Sequence, residues 1–377
     1  MKYMGSKRWM LRDGLGFLLE EKVSTAKRFV DLFTGSGAVA TFVAQRVAVP
    51  VAAFDLQLFS VTLARAVVGR TALLESGPLW VAWHDRAMKF LEESSRLKLA
   101  NAPFPRLSKF TQRFVREMRD ACASEKGFTL TKAYGGHYFS LKQALWLDAL
   151  RSSLPEGVEE RTSSLAALIQ GASRCAASPG HTAQPLQPTR SAKKYLYEAW
   201  AKDIVSITRT SFGLICKQYA LCKGSAEVRD ANMAVEELSE DDLVFIDPPY
   251  SGVHYSRFYH VLETIARGVC SDVSGVGRYP PPVERPWSRF SVPSESRKAV
   301  SSLIEKVAER GARAIVTFPD KRCTNGISSY LLRKLGKVHF KKMSEMVVRG
   351  KFSTLGGNGN HREARQPSAE MVLVLEP

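Results

Sequence analysis

The chain has 377 residues, 45% of them hydrophobic, which is enough for a full α/β core and a second, smaller domain. Its 54 Lys and Arg against 37 Asp and Glu give a net charge of +17, an excess that an enzyme of small metabolites does not need. The charge favours a polyanionic partner, because neutralised phosphates release counterions, although an ordinary basic surface is the alternative.

The cysteines and the apolar runs further limit the class of protein that this chain can belong to. The six cysteines are scattered, with no C-x-x-C pair and no His at metal-ligand spacing, so we expect reduced thiols and no metal site. No apolar run approaches the ~20 residues of a membrane span. The N-terminus lacks the apolar core of a signal peptide. The sequence therefore predicts a cytoplasmic protein without a membrane partner.

The first seventy residues alternate between short apolar runs and helical patterns. The predicted elements are a strand at 28–33, a helix at 38–47, a strand at 49–54 and a helix at about 57–69. The first strand runs directly into Thr34-Gly35-Ser36-Gly37, and the second ends on Asp55. This order is typical of the start of an open, mostly parallel sheet.

The same pattern resumes after residue 224. The predicted elements are a segment at 227–229 leading to Asp230, a strand at 242–246, a helix at 259–267, a strand at 312–318 and a closing antiparallel pair at 342–349 and 370–375. We therefore predict a doubly wound, Rossmann-like α/β core formed by 1–71 and 225–377.

The intervening stretch, 72–224, has a different character. Over 101–223 it contains 18 Lys and Arg against 9 Asp and Glu, with aromatic residues between them. Residues 171–192 are rich in Ser, Pro, Gly and Gln and are predicted to form a long loop. We interpret 72–224 as an inserted, mostly helical target-recognition domain, and a helical elaboration of the core is the alternative.

A glycine motif, Asp31-x-x-x-Gly35-x-Gly37, lies between the first strand and the first helix. Such a turn lets the backbone approach a nucleotide-like ligand closely. Together with Ala40 it also satisfies the looser G-x-G-x-x-A pattern, so the motif alone fits NAD equally well. Asp55 is placed to accept hydrogen bonds from two ribose hydroxyls, and capping of the next helix is its alternative role.

The motif Asp247-Pro248-Pro249-Tyr250 ends the predicted strand at 242–246. Two consecutive prolines fix the backbone, so the chain leaves the sheet in one rigid shape. Asp247 and the Pro248 carbonyl can then accept the two N–H bonds of an exocyclic amine, which favours a pyramidal nitrogen whose lone pair attacks a methyl group. Tyr250 would stack on the base, which must leave the duplex to reach such a pocket. A simple strand-ending turn is the alternative.

With Tyr3-Met4-Gly5-Ser6-Lys7 at the start and Asp230 before the second motif, the sequence resembles the D12-class, Dam-like adenine-specific DNA methyltransferases. The resemblance implies an S-adenosyl-L-methionine-dependent core, no metal, and direct methyl transfer to adenine N6 in double-stranded DNA. It assigns Lys7 to the carboxylate end of the cofactor and Asp230 to the cofactor adenine. The implied cofactor-binding residues are Tyr3, Met4, Gly5, Lys7, Asp31, Phe33, Thr34, Gly35, Gly37, Asp55, Leu56, Asp230, Ala231 and Asp247, and the catalytic residues are Asp247, Pro248, Pro249 and Tyr250.

Some features depart from that family or extend it. Ala231 stands where many relatives carry an aromatic residue. The Gly- and Asn-rich stretch at 353–365 is either a backbone-amide loop that grips phosphate or borders the pocket, or a surface loop. Five residues that follow the catalytic loop either contact the flipped base or its partner strand, or pack the loop: His254, Tyr255, Arg257, Tyr259 and His260.

Three other functions remain open at this stage. An RNA methyltransferase acting on exocyclic amines of rRNA is the nearest, followed by a non-catalytic nucleic-acid-binding subunit and an NAD-linked oxidoreductase. The same amine chemistry also serves cytosine N4, so the choice of adenine N6 depends on the family resemblance. The family suggests a restriction-modification or phage-defence system, with a restriction or defence enzyme as partner subunit.

Overall fold

The computed structural model is a mixed α/β structure with a seven-stranded sheet. It describes residues 7–353 and 365–377, apart from the side chains of 350–353 and 365–368. Tyr3, Met4 and Gly5 lie outside the described residues, as do 354–364 of the Gly- and Asn-rich stretch at 353–365. Within the described ranges, no helix is both long and apolar enough to cross a membrane.

The strands and helices follow one another along the whole chain. The strands are β1 (Arg28–Asp31), β2 (Val51–Asp55), β3 (Ser225–Val228), β4 (Asp242–Ile246), β5 (Arg313–Pro319), β6 (Lys342–Ser353) and β7 (Arg365–Glu376). The helices are α1 (Leu15–Val23), α2 (Ala38–Ala44), α3 (Leu58–Val68), α4 (Ser76–Glu93), α5 (Leu97–Ala100), α6 (Gln112–Ser124), α7 (Thr129–Tyr134), α8 (Leu141–Ser152), α9 (Val158–Cys175), α10 (Lys193–Trp200), α11 (Ile204–Cys216), α12 (Ala231–Ala234), α13 (Tyr255–Arg267), α14 (Ser296–Glu309) and α15 (Ser329–His339).

The sheet has the strand order β3-β2-β1-β4-β5-β7-β6. Strands β1 to β5 pair with one another in parallel, whereas β7 is antiparallel to both β5 and β6. The order reverses between β1 and β4, which pair directly. In an open parallel sheet, the loops that leave two such strands diverge and open a crevice at their carboxyl ends.

Apolar side chains cover both faces of this sheet. In β1, Phe29 packs into the cluster formed with α1, α2 and α3, whereas its neighbour Val30 packs into the cluster formed with α12, α14 and α15. In β4, Phe245 and Val244 divide in the same way. Burial on both faces explains why these strands are near-continuous apolar runs rather than alternating ones.

The described chain divides into two compact units. The sheet unit comprises the described residues up to Ala72, Gln218–Ser256 and Pro286–Pro377, and the helical unit comprises Leu73–Lys217 and Arg257–Arg285. Helices α4 to α11 provide the helical content expected of the stretch 72–224. The assignment of that stretch as a DNA-recognition domain stays a prediction.

The helical unit includes Arg257–Arg285, which the sequence analysis placed with the catalytic segments. Hydrogen bonds to α7 and α8 hold this segment: Arg151 Nε donates to the Ile265 carbonyl at 2.7 Å, and the Tyr134 hydroxyl lies 2.8 Å from Thr264 Oγ1. These two contacts join the segment to helices that lie more than a hundred residues earlier in the chain.

The long loop begins later than residue 171. Helix α9 continues through Cys175, so the loop before α10 covers 176–192. A Cβ atom on Gly171 would lie 2.3 Å from Thr208 Oγ1 of α11. Gly171, which contributed to the loop prediction, is therefore a helical position where two helices approach closely.

Candidate active site

Three carboxylates lie at the carboxyl ends of neighbouring strands in the sheet unit. Asp31 ends β1, Asp55 ends β2, and Asp247 follows β4 directly. Because β1 lies between β2 and β4, these residues occupy one edge of the sheet beside the point where the strand order reverses. The structure thus brings together the acids of the two motifs that the sequence analysis singled out.

The glycine loop that follows β1 is held against β2 and α3. Gly35 and Gly37 have positive φ angles of 49° and 72°, which other residues adopt at a cost. A Cβ atom on Gly37 would lie 3.2 Å from the backbone of Ala64 in α3. The backbone N–H of Gly35 donates to Asp55 Oδ2 at 2.9 Å. The loop shape therefore depends on both glycines and on Asp55.

Asp55 also organises the start of α3. Its Oδ1 accepts a hydrogen bond of 2.9 Å from the backbone N–H of Gln57, the residue that caps α3. Gln57 and not Asp55 is the N-cap residue of α3, so Asp55 contacts the backbone that leads into the helix without capping it. Its predicted role as a ligand of ribose hydroxyls stays a prediction, as does the part assigned to the half-buried Leu56.

Asp31 is buried with little to stabilise its charge. Its Oδ1 accepts one long hydrogen bond, 3.3 Å, from the backbone N–H of Phe33. Burial raises the pKa of Asp31 to about 7, and the charges of Asp247 and Asp55 add to the rise. This edge of the sheet is therefore an anionic environment that a cationic ligand would stabilise.

Asp247 belongs to a buried cluster of charges. Lys7 Nζ lies 3.0 Å from Asp247 Oδ1 and 2.6 Å from Glu370 Oε2, and the Lys7 side chain is only 4% exposed. Burial lowers the pKa of Lys7, but the two carboxylates outweigh it and the net pKa is raised. Lys7, predicted to approach the cofactor, thus lies against the predicted catalytic carboxylate.

One oxygen of Asp247 is anchored and the other is left open. Thr317 Oγ1 donates to Oδ1 at 3.0 Å, and Lys7 Nζ contacts the same atom. No donor among the described residues reaches Oδ2. Burial raises the pKa of Asp247 to about 6, the Lys7 ammonium opposes the rise, and the Glu370 carboxylate adds to it. Above that pH, Asp247 presents an ionised, oriented oxygen.

The Asp247–Tyr250 loop is fixed by a segment that the sequence analysis did not single out. The Asn325 side-chain amide, fully buried, donates to the carbonyls of Pro249 and Phe290. Thr324 Oγ1 accepts from the backbone N–H of Gly252 at 3.0 Å. In the described part of the chain, the Pro248 carbonyl accepts no hydrogen bond. Asn325 and Thr324, which together form a clamp on the loop, therefore hold it in place. The Pro248 carbonyl, which is predicted to bind the substrate, is not used by this clamp.

Three other predicted site residues of the sheet unit, Tyr250, Phe33 and Thr34, pack against neighbouring rings or are buried. Tyr250 meets Tyr255 edge-on with ring centroids 6.1 Å apart, and Phe33 meets Phe290 in the same manner at 4.9 Å. Thr34 is buried. Their predicted contacts with base and cofactor stay predictions.

Asp230 caps a short helix beyond β3. Its side chain accepts a 2.9 Å hydrogen bond from the backbone N–H of Asn232, and Ala231, the first residue of α12, is buried. Asn232 Oδ1 is also buried and has no hydrogen-bond partner in the described ranges. The end of β3 therefore offers a carboxylate and an unsatisfied amide oxygen.

Four of the five residues that follow the catalytic loop, all except Tyr255, divide into two groups. Tyr259 and His260 are buried within the helical unit, and the His260 ring nitrogens lie 3.1 and 2.8 Å from the carbonyls of Arg257 and Gly277. His254 is half-buried beside Trp287, with ring centroids 6.1 Å apart, and Arg257 is exposed. For Tyr259 and His260 the structure favours packing over contact with a base.

Sequence reasoning missed Glu370, Thr317 and Asn325. Glu370 lies on β7, Thr317 on β5 and Asn325 in the loop before α15, and no motif marks them. The alternating pattern at 370–375 predicted only a strand. Within the described residues, no group of three or more His, Cys, Asp or Glu side chains has an arrangement suited to a metal ion.

Comparison with known proteins identifies the relatives of this chain. A family model of the D12 class N6 adenine-specific DNA methyltransferases matches residues 216–275, which include Asp230 and the Asp247–Tyr250 loop. The chain is 23% identical to modification methylase LlaI of Lactococcus lactis subsp. lactis over 329 residues, 81% of this chain and 44% of that protein. It is 39% identical to type II methyltransferase M.FokI of Planomicrobium okeanokoites over 77 residues, 20% of this chain and 12% of that protein.

These matches confirm the resemblance to the D12 class that the motifs indicate. The chain spans less than half the length of either relative.

Proposed function

We propose that this chain is an adenine-specific DNA methyltransferase that transfers a methyl group from S-adenosyl-L-methionine to adenine N6. The observation that supports this most is the geometry of Asp247, whose Oδ1 is held by Lys7 and Thr317 while no donor in the described part of the chain reaches Oδ2. The names of the two relatives extend the proposal to a modification enzyme of a restriction-modification system that acts on cytoplasmic DNA, with a restriction or defence enzyme as partner.

The residues at the sheet edge fit this cofactor. S-adenosyl-L-methionine would supply an electrophilic methyl group on a positively charged sulfonium. A cation near Asp31 stabilises the ionised form of that buried carboxyl, whose pKa is raised. Asp55 accepts backbone N–H bonds from Gly35 and Gln57, which fix its carboxylate at the end of β2, where the resemblance places the ribose of the cofactor. Asp31, Gly35, Gly37, Asp55 and Asp230 would thus hold it.

Asp247 and Pro248 would activate the target amine. Adenine N6 is a weak nucleophile because its lone pair is delocalised into the ring. Acceptance of one N–H bond by Asp247 Oδ2 and the other by the Pro248 carbonyl favours a pyramidal nitrogen, whose lone pair would attack the methyl carbon. As the N–C bond forms, the bond from that carbon to the sulfonium sulfur would break, and the sulfur would leave with the electron pair as a neutral thioether. After transfer, the positively charged amine loses a proton to Asp247 or to water.

The clamp on the catalytic loop supplies the precision that this step requires. Two acceptors must point at one nitrogen, and small displacements from productive geometry lower the rate steeply. The prolines restrict the backbone of the loop, and the Asn325 amide fixes the carbonyl of Pro249 from the other side. Tyr250 would stack on the adenine once the base has left the duplex.

The test is transfer of a labelled methyl group from S-adenosyl-L-methionine to unmethylated genomic DNA and, separately, to total RNA, followed by nucleoside analysis. The proposal predicts N6-methyladenine in DNA. Label in RNA alone would replace it with RNA methylation, and N4-methylcytosine in DNA would replace the target base. Cofactor binding without transfer to either polymer would indicate a non-catalytic subunit or a missing partner.

A further inference from the structure

Two arginines of the helical unit lie over the same tyrosine ring. Arg257 Cζ is 4.8 Å from the centroid of the Tyr279 ring, and Arg285 Cζ is 5.6 Å from it. The quadrupole of an aromatic ring attracts a guanidinium placed over it. A stacked guanidinium keeps the N–H donors at its edge available to other partners. Tyr279 therefore has two positively charged guanidiniums over its ring.

The tyrosine that supports them is itself firmly held. Its hydroxyl donates to the Ala183 carbonyl at 2.6 Å, and its backbone N–H and C=O pair with those of Ser274 at 2.9 Å each. The buried His260 ring packs on Tyr279 with centroids 4.8 Å apart. The ring over which the two guanidiniums lie is therefore fixed before any ligand binds.

Neither guanidinium has an anionic partner. No ion pair or side-chain hydrogen bond joins Arg257 or Arg285 to another residue of the described ranges, and Arg285 Nε is shut off from solvent without an acceptor. Burial, with the nearby charge of Arg257, lowers the pKa of Arg285. Two like charges held together with a buried, unsatisfied donor are unfavourable until an anion joins them.

The other arginines that lie over an aromatic ring in the described residues have carboxylate partners. Arg46 lies over Phe42 and is paired with Glu20 at 3.1 Å. In the same way, Arg229 lies over Phe54 and is paired with two glutamates. In the helical unit, Arg278 donates to the last carbonyls of α7. The combination of ring stacking and missing acceptors is therefore a property of the Tyr279 site.

The chemistry of the missing partner follows from the donors. Two guanidiniums on one ring offer several N–H donors to an anion with several oxygens, and phosphate accepts bidentate contacts from such groups. We propose that Arg257 and Arg285, seated on Tyr279, bind one phosphate of the DNA backbone. This inference rests on the proposed DNA substrate and adds a phosphate contact to it, outside the carboxylate edge that would hold cofactor and base.

The test measures how salt weakens binding of the full chain to an unmethylated DNA duplex. Each phosphate contact contributes about 0.9 to the slope of log K against log salt for duplex DNA. Arg257→Ala with Arg285→Ala should lower that slope by about 1. The wild type should then lose about 3.5-fold more affinity than the variant between 50 and 200 mM salt.

The matched control is Arg46→Ala with Arg229→Ala, which removes the same charge and the same number of ring contacts from arginines that have carboxylate partners. Its slope should equal that of the wild type. Arg257→Ala alone, at an exposed position, should lower the slope as well and serves if the double variant does not fold. Arg257→Lys with Arg285→Lys should keep the slope but lose affinity, because lysine cannot form the bidentate contact.

An unchanged slope in both the double and the single variant would overturn the phosphate site. Methyl transfer by the wild type is measured in parallel. Transfer to DNA by the wild type, together with an unchanged salt slope in the variants, would refute this inference but not the proposed function. A lowered slope without any transfer supports the site and refutes the function. Binding of RNA but not of DNA would overturn the assignment to DNA.

Discussion

Glu370 is expected to set the pH at which the catalytic carboxylate ionises. It shares Lys7 with Asp247, at 2.6 and 3.0 Å, so the two carboxylate oxygens lie no more than 5.6 Å apart. At that separation and an effective dielectric constant of ~20, two unit charges repel by about 3 kcal/mol, equivalent to about 2 pH units. Because both side chains are 15% exposed, we expect solvent to reduce the effect by about half.

Glu370→Gln removes this repulsion and preserves the shape of the side chain. The pKa of Asp247 should fall from about 6 to about 5, because Lys7 then has one carboxylate partner instead of two. Transfer requires ionised Asp247, so the acid limb of activity should move down by about one pH unit. At pH 5 the variant should retain about fivefold more of its own plateau activity than the wild type does.

The assay is kcat/KM for labelled methyl transfer between pH 5 and 9 at constant ionic strength, which reports ionisations of the free enzyme. Glu345→Gln is the matched control, since Glu345 pairs with Arg333 and not with Lys7. Its acid limb should coincide with that of the wild type. An acid limb that stays in place in Glu370→Gln, or moves upward, would refute the reasoning from the buried charge cluster.

Three further predictions concern the loop clamp, the glycine loop and the buried acid. Asn325→Ala leaves two buried carbonyls unpaired, so it should lower the free energy of unfolding by about 2–4 kcal/mol in urea titrations. It should also lower kcat by more than about tenfold, because the catalytic loop is no longer held. Asn101→Ala, at an exposed position, should change neither quantity. Gly37→Ala should weaken S-adenosyl-L-methionine binding in calorimetry by about tenfold or more, because Gly37 has a positive φ and a Cβ atom there would meet α3. Gly77→Ala, where an added Cβ has no neighbour, should leave binding unchanged. Asp31→Asn should flatten the pH dependence of stability. The pKa of the Asp31 carboxyl is raised to about 7 in the folded state, so its protonated form contributes stability that is fully present below about pH 4. About 4 kcal/mol of that stability is lost as pH rises through 7. Equal stability loss between pH 4 and 8 in wild type and Asp31→Asn would contradict the last of these.

The strands that position the candidate site were predictable because each is a short apolar run that ends on a polar residue. β1 ends on Asp31, β2 on Asp55, and β4 runs into Asp247. Local patterns of this kind decide where a buried strand stops. The acids of the motifs were therefore found without knowledge of the sheet order.

The groups that surround Asp247 were not predictable because they come from distant parts of the chain. Lys7 and Glu370 are 363 residues apart in sequence and meet only because β7 pairs antiparallel with β5. The pattern at 370–375 indicated a strand but not its neighbour. Asn325 stands in an ordinary turn sequence, and its importance follows from burial beside Pro249, which no local signal shows.

The extent of the helical unit was hard to predict for a related reason. Periodicity identifies a helix near 259–267 but not the helices against which it packs. Gly171 shows the opposite error, because a glycine that permits close contact with Thr208 in α11 resembles a loop residue in sequence. In both cases, residues far away in sequence determine the structure that the segment adopts.

The most direct test of the central claim compares wild type and Asp247→Ala for transfer of a labelled methyl group to unmethylated DNA, with S-adenosyl-L-methionine binding measured on the same preparations. We predict N6-methyladenine from the wild type, no detectable transfer by Asp247→Ala, and cofactor affinities within a few-fold of each other. Near-normal transfer by Asp247→Ala would contradict the assignment of Asp247 as the group that activates the adenine amine.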